Sequence, residues 1–89
     1  MVRVKRLVLD VLKPHQPNAL EFSQALARAG GDYRVCITVL EIDEKTETLQ
    51  VLVEGNAIDF DAVQSSIREL GGSLHSIDEV EVQSEPQAS

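Results

Sequence analysis

Two glycine pairs, Gly30-Gly31 and Gly71-Gly72, restrict the fold of this chain more than any other feature. Each ends a stretch of helical period and precedes a stretch of strand character. Before the first pair, Ala19, Phe22, Leu26 and Ala29 recur on one helical face, with Ala25 beside them. Before the second, Phe60, Val63, Ile67 and Leu70 do the same. Glycine takes the left-handed C-cap position without a Cβ clash, so both pairs read as helix stops. Asp59 is placed to N-cap the second helix, and Asp61 adds negative charge to its first turn, where the helix dipole favours it.

The segments between the helices read as strands. From Arg3 to Lys13, Leu7, Leu9 and Val11 alternate with Val8, Asp10 and Leu12, so both faces are largely apolar. Pro14-His15-Gln16-Pro17 breaks this strand. Tyr33 to Asp43 forms a second strand. Its row Val35, Ile37, Val39 should face the helices and continue into Glu41 and Asp43. The other row is Cys36, Thr38, Leu40 and Ile42. The polar run Glu44-Lys45-Thr46-Glu47 predicts a hairpin turn into a third strand, Thr48 to Glu54, with Leu49, Val51 and Val53 inward. A fourth strand runs from Ser73 to about Val82. Residues 1–82 then form one domain and 83–89 a flexible polar tail.

Strand, helix, strand, strand, helix, strand is the order of an α+β, ferredoxin-like βαββαβ sandwich. Right-handed crossovers place its strands antiparallel in the order 4-1-3-2, with both helices on one face. The opposite face should then carry Val8, Asp10, Leu12, Thr38, Leu40, Ile42 and Leu52. Five aliphatics are too many for a small monomer to leave in water, and the two outer strands present unpaired backbone groups. Self-association, by edge pairing or by burying that face, is expected, with Leu40 and Leu52 as interface candidates.

A net charge of −7 argues against nucleic acid as a partner, since phosphates are bound by Lys and Arg. No apolar run is long enough to cross a bilayer, and no secretory leader is evident, so a cytoplasmic location is expected and no membrane partner. The single cysteine, Cys36, excludes an internal disulfide and reads as a buried structural thiol in an apolar strand.

No catalytic signature is present. The glycine pairs follow helices, whereas a phosphate cradle precedes one, and no Cys/His zinc spacing occurs. Ser76 and His75 are neighbours on a strand and should point to opposite faces. Asp10 is more informative, because an ionised carboxylate within an apolar strand needs a partner. With the first strand beside the fourth, Asp10 can approach His75 or the Asp78-Glu79 pair. Hard cations such as Ca²⁺ and Mg²⁺ need several converging oxygens. Asp10, Asp78 and Glu79 are candidate donors, joined by Glu41 or Asp43 from another subunit's edge strand. The alternative is a solvated acidic rim. His75 reads as a structural group or a ligand candidate, and His15 as an exposed loop residue or part of the lining at the end of the sheet.

The stretches Leu7-Val8-Leu9-Asp10-Val11-Leu12-Lys13-Pro14-His15 and Gly71-Gly72-Ser73-Leu74-His75-Ser76-Ile77-Asp78-Glu79-Val80, with Val39-Leu40-Glu41-Ile42-Asp43, Val53-Glu54-Gly55 and Phe60-Asp61, resemble the mostly archaeal domain of unknown function 211 family. The similarity runs from about Arg6 to Val82. It implies a ferredoxin-like fold, a ring-like homo-oligomer and calcium binding in some members, with no established enzymatic activity. Ala29-Gly30-Gly31-Asp32-Tyr33 departs from the family's usual turn, and the tail lacks the basic segment of some members. The expected function is a non-enzymatic oligomeric module that binds Ca²⁺ or Mg²⁺ at acidic strand or interface sites, with no organic cofactor. A small-molecule-sensing module resembling ACT-type domains is the alternative.

Overall fold

The computed structural model describes residues 1–86. Its elements are β1 (Val2–Pro14), α1 (Ala19–Ala27), β2 (Arg34–Ile42), β3 (Thr46–Glu54), α2 (Phe60–Glu69) and β4 (Ser73–Ser84). All neighbouring strands are antiparallel. The sheet runs β2-β3-β1-β4, which counted from the β4 edge is 4-1-3-2. β4 continues two residues past Val82, with Ser84 opposite Val2, and the Glu85 N–H donates to the Met1 carbonyl. The last tail residues, 87–89, lie outside the described residues.

Leu7, Leu9 and Val11 of β1 and Leu49, Val51 and Val53 of β3 form one buried row each. Phe22 and Leu26 of α1 and Val63 and Ile67 of α2 close over them. Each such side chain contributes about 1.5–3 kcal/mol on burial, so this layer is the main source of stability. Both helices start on side-chain caps. Asn18 and Glu21 form a reciprocal capping box on α1, and Asp59 accepts from the Ala62 N–H on α2.

Only the second glycine pair ends its helix; α1 stops at Ala27 with Arg28 as its C-cap, before Ala29 and the first pair. Gly71 has φ +84°, the left-handed C-cap the sequence predicts, and its N–H and that of Gly72 bond back to Arg68 and Ile67. Gly30 and Gly31 are not left-handed. Gly30 is required because the Tyr33 ring lies against its Cα, where a Cβ would collide with it. The Tyr33 hydroxyl in turn accepts from the Asp59 N–H at 2.6 Å, tying the loop between α1 and β2 to the start of α2.

Four register shifts break the strands. In β2 the pairing steps from Val39–Leu49 to Glu41–Thr48, leaving Leu40 as an extra residue. Glu41 therefore sits in the row opposite the helices and Ile42 in the helix-side row, the reverse of simple alternation. Between β1 and β4 the extra residues are Lys5, Asp78 and His75. The residues of β4 opposite the core row of β1 are consequently Leu74, Ile77, Val80 and Val82, not every second residue.

The helix-free face is also less apolar than alternation predicts. Val8 is buried rather than exposed, beneath a shallow depression lined by Arg6, Cys36, Thr38, Gln50 and Leu52. Leu52 is half-buried. Cys36 is exposed, because β2 is an edge strand and this side of it carries no helix. Apart from Met1 and Val2 at the start of the chain, Leu12 on β1 and Leu20 on α1, the exposed large apolar side chains gather at the two edges. Val39, Leu40 and Ile42 lie on β2, the last two 59% and 68% exposed, and Ile77, Val80 and Val82 lie on β4.

Candidate functional site

The two shifts in β4 decide which side chains share the helix-free face. Ser76 is opposite Asp10 and Glu79 opposite Val8, so both lie on that face. The extra residues His75 and Asp78 join them: His75 lines a cavity with Asp10, and Asp78 accepts from the Ser76 hydroxyl at 2.6 Å. His75 and Ser76 are therefore on the same side, not opposite sides. They still do not form a nucleophile–base pair, because the Ser76 proton goes to Asp78.

Asp10, Leu12, Thr48 and His75 line a cavity of about 150 Å³. It combines one carboxylate, one imidazole, one hydroxyl and one aliphatic wall. Further along the same face, Arg6 links Glu79 of β4, at 2.9 Å, to Glu54 of β3, at 3.3 Å. Arg34 adds a longer contact to Glu54, at 3.9 Å. Glu79 Oε2 is thus neutralised by Arg6 within the chain.

The sequence-predicted cation donors are distributed rather than gathered. Asp10 is in the cavity, Asp78 is on Ser76, and Glu79 is on Arg6. Glu41 stands on the opposite edge strand, and Asp43 lies beyond the end of β2, in the turn, where its N–H donates to the Thr46 carbonyl. Three strand spacings separate β2 from β4, roughly 14 Å, so the two acidic edges cannot meet within one chain. Among the described residues no group of three or more His, Cys, Asp or Glu side chains is placed to share an ion.

A second cluster lies at the hairpin end of the sheet, and alternation alone did not reveal it. Lys13 is opposite Glu47 in the helix-side row. Its side chain is 0% exposed, and its ammonium donates to Glu47 Oε1 at 3.0 Å, to the Pro14 carbonyl at 2.8 Å and to the His15 carbonyl at 3.4 Å. His15 is not a free loop residue: Nδ1 is 3.0 Å from Glu47 Oε2 and Nε2 is 2.9 Å from the Glu44 carbonyl. These bonds raise His15 above its ordinary value, the Glu47 bond contributing most and partial burial opposing. Bonds from His15 and then Lys13 hold the Glu47 carboxyl below its ordinary value, again against burial. The clue available in the sequence was register: pairing the buried rows of the first and third strands sets Lys13 against Glu47.

The profile of the domain of unknown function 211 family (uncharacterized ArCR) matches residues 5–85, nearly the whole described chain. The chain belongs to the domain of unknown function 211 family. Within it, this DUF211 protein is similar to the uncharacterized protein MJ0319 of Methanocaldococcus jannaschii. The two are 48% identical over 77 residues, covering 86% of this chain and 79% of the relative. Among the described residues, no helix of this DUF211 protein is long and apolar enough to cross a membrane.

Proposed function

We propose that this chain is a non-enzymatic module that assembles head to tail through its two sheet edges, with a divalent cation between acidic residues of adjoining copies. The supporting observation is the composition of those edges. β2 exposes Leu40 and Ile42 beside Glu41, and β4 exposes Ile77, Val80 and Val82 among Asp78, Glu79 and Glu81. In this sheet order β2 and β4 run antiparallel, so β2 of one copy laid along β4 of another would continue the ladder. The contact joins two different surfaces, and repeating it closes a ring if the rotation per copy allows.

Apolar burial favours such a junction, but like charges oppose it. A hard cation such as Ca²⁺ or Mg²⁺, held by Asp78 of one copy and Glu41 of the next, offsets that repulsion. Glu79 can join through Oε1, since Arg6 takes Oε2. Asp43, past the end of β2, is left out of this set.

Light scattering with Ca²⁺, with Mg²⁺ and with chelator tests this reading. An assembly strengthened by cation is expected, and a chain that stays monomeric in every condition refutes it. The head-to-tail geometry is tested with Leu40→Glu and Val80→Glu. Each variant alone should fail to form the full assembly, and an equimolar mixture should give a heterodimer through the intact edges. A mixture that remains monomeric rules out the β2–β4 contact.

The cavity of Asp10, Leu12, Thr48 and His75 favours a second reading, a small-molecule-sensing module. A thermal-shift screen with amino acids and nucleotides checks it. A shift that Asp10→Asn and His75→Gln both remove supports the second reading, and no shift with any compound counts against it.

A further inference from the structure

We propose that His15 is a proton-operated latch fastening the β2–β3 turn to the segment that leaves β1. The argument rests on donors and acceptors. His15 Nδ1 faces a carboxylate oxygen of Glu47 and Nε2 faces the backbone carbonyl of Glu44. Both partners only accept, so both ring nitrogens must donate, and only the imidazolium carries two N–H groups. A neutral ring receiving a proton from Glu47 does not fit, because the other Glu47 oxygen holds the Lys13 ammonium at 3.0 Å and the carboxylate stays ionised.

The titratable residues facing the ring are Glu47 from β3, Lys13 from β1 behind that carboxylate, and Glu44 and Asp43 from the turn, the last two through backbone carbonyls. Glu47 and the carbonyls favour the charged ring. Lys13 opposes it and is itself neutralised by Glu47. When the ring loses its proton, one nitrogen becomes an acceptor facing an acceptor, and one of the two bonds is lost. The turn then keeps its own Asp43-to-Thr46 bond but loses an attachment to a residue 29 positions away. His15 is raised above 6.5, so the latch is closed below that value and opens as pH rises through the folded-state value. The latch is a property of the single chain and does not depend on assembly.

Proton NMR of the full chain tests it, since the sequence holds two histidines and His75→Gln assigns them. The His15 ring should titrate above 6.5. Hydrogen exchange at the turn amides, corrected for intrinsic base catalysis, should rise by roughly tenfold as pH passes that midpoint. His15→Gln should remove this pH dependence, and His75→Gln should leave it intact. Glu47→Gln should lower the His15 midpoint, a readout independent of the His15 variant. A His15 midpoint at or below 6.5, or turn exchange with the same pH dependence in His15→Gln, overturns the proposal.

Discussion

Replacing Glu47 by Gln should be among the most damaging single-atom changes in this protein. The substitution keeps the side chain's size and one acceptor oxygen, so steric effects are small. It removes the charge that faces Lys13, whose side chain is fully buried. Breaking a buried ion pair by neutralising one partner typically costs about 3–5 kcal/mol. Two features reduce that figure. The Lys13 ammonium keeps the Pro14 carbonyl at 2.8 Å and the weaker His15 carbonyl at 3.4 Å, and the Glu47 side chain is 15% exposed, so water can reach it. A loss of about 2–3 kcal/mol remains. In a domain of this size 1 kcal/mol corresponds to about 4–8 °C, so the midpoint should fall by roughly 10–20 °C. Thermal melts measure that shift and urea unfolding the free energy, both at one fixed protomer concentration, because the proposed assembly would make apparent stability concentration-dependent. Lys13→Met should cost less, since it replaces the buried cation with an apolar chain of similar length. Adding Lys13→Met to Glu47→Gln should restore much of the loss, because the orphaned charge is gone. A Glu47→Gln protein within about 0.5 kcal/mol of the parent would refute this reasoning, and so would a double variant no more stable than Glu47→Gln alone.

The acid limb of stability follows from the same cluster. Glu47 is held below 4.5, so its contribution is present above that value and is lost as pH falls through the folded-state value; urea midpoints measured against pH should show this loss in the parent and not in Glu47→Gln. Gly30→Ala should cost about 1–3 kcal/mol by driving a methyl into the Tyr33 ring, whereas Gly31→Ala, with open space around it, should be near neutral; paired thermal melts decide. Cys36, exposed on an edge strand, should be modified by a thiol reagent in the native state at one equivalent per chain, and a thiol that reacts only after unfolding would contradict its placement.

Much of the fold was legible because local signals agree with one another. Apolar period, glycine stops and the acidic cap at Asp59 all place elements in the same order, and βαββαβ connectivity then admits few sheets. What escaped was non-local. Alternation assumes one residue per step, and Leu40, His75 and Asp78 each break that count. For His75 and Asp78 the trace in the sequence is an apolar spacing of three in Leu74, Ile77 and Val80, odd for a strand; Leu40 leaves no such trace. The extra Leu40 reverses the face of Ile42, and the extra His75 brings His75 and Ser76 to one side. Lys13 escaped for another reason. A lysine at a strand end ordinarily reaches water, and only the partner strand shows that a carboxylate waits for it inside. Cys36 was misjudged because apolar neighbours along a strand do not reveal whether anything covers that side.

The extra residues in β4 also bear on solubility. Bulges bend a strand and increase its right-handed twist, so the outer border of this sheet curves along its length. A straight strand from an unrelated polypeptide can follow a curved border for only a few residues before its hydrogen bonds fall out of step. Fibril growth depends on flat strands stacking without limit, and a border interrupted at His75 and Asp78 denies it a template. In the proposed assembly, the irregularities that obscured β4 in the sequence would act as a filter, admitting a strand of matching curvature and turning away others.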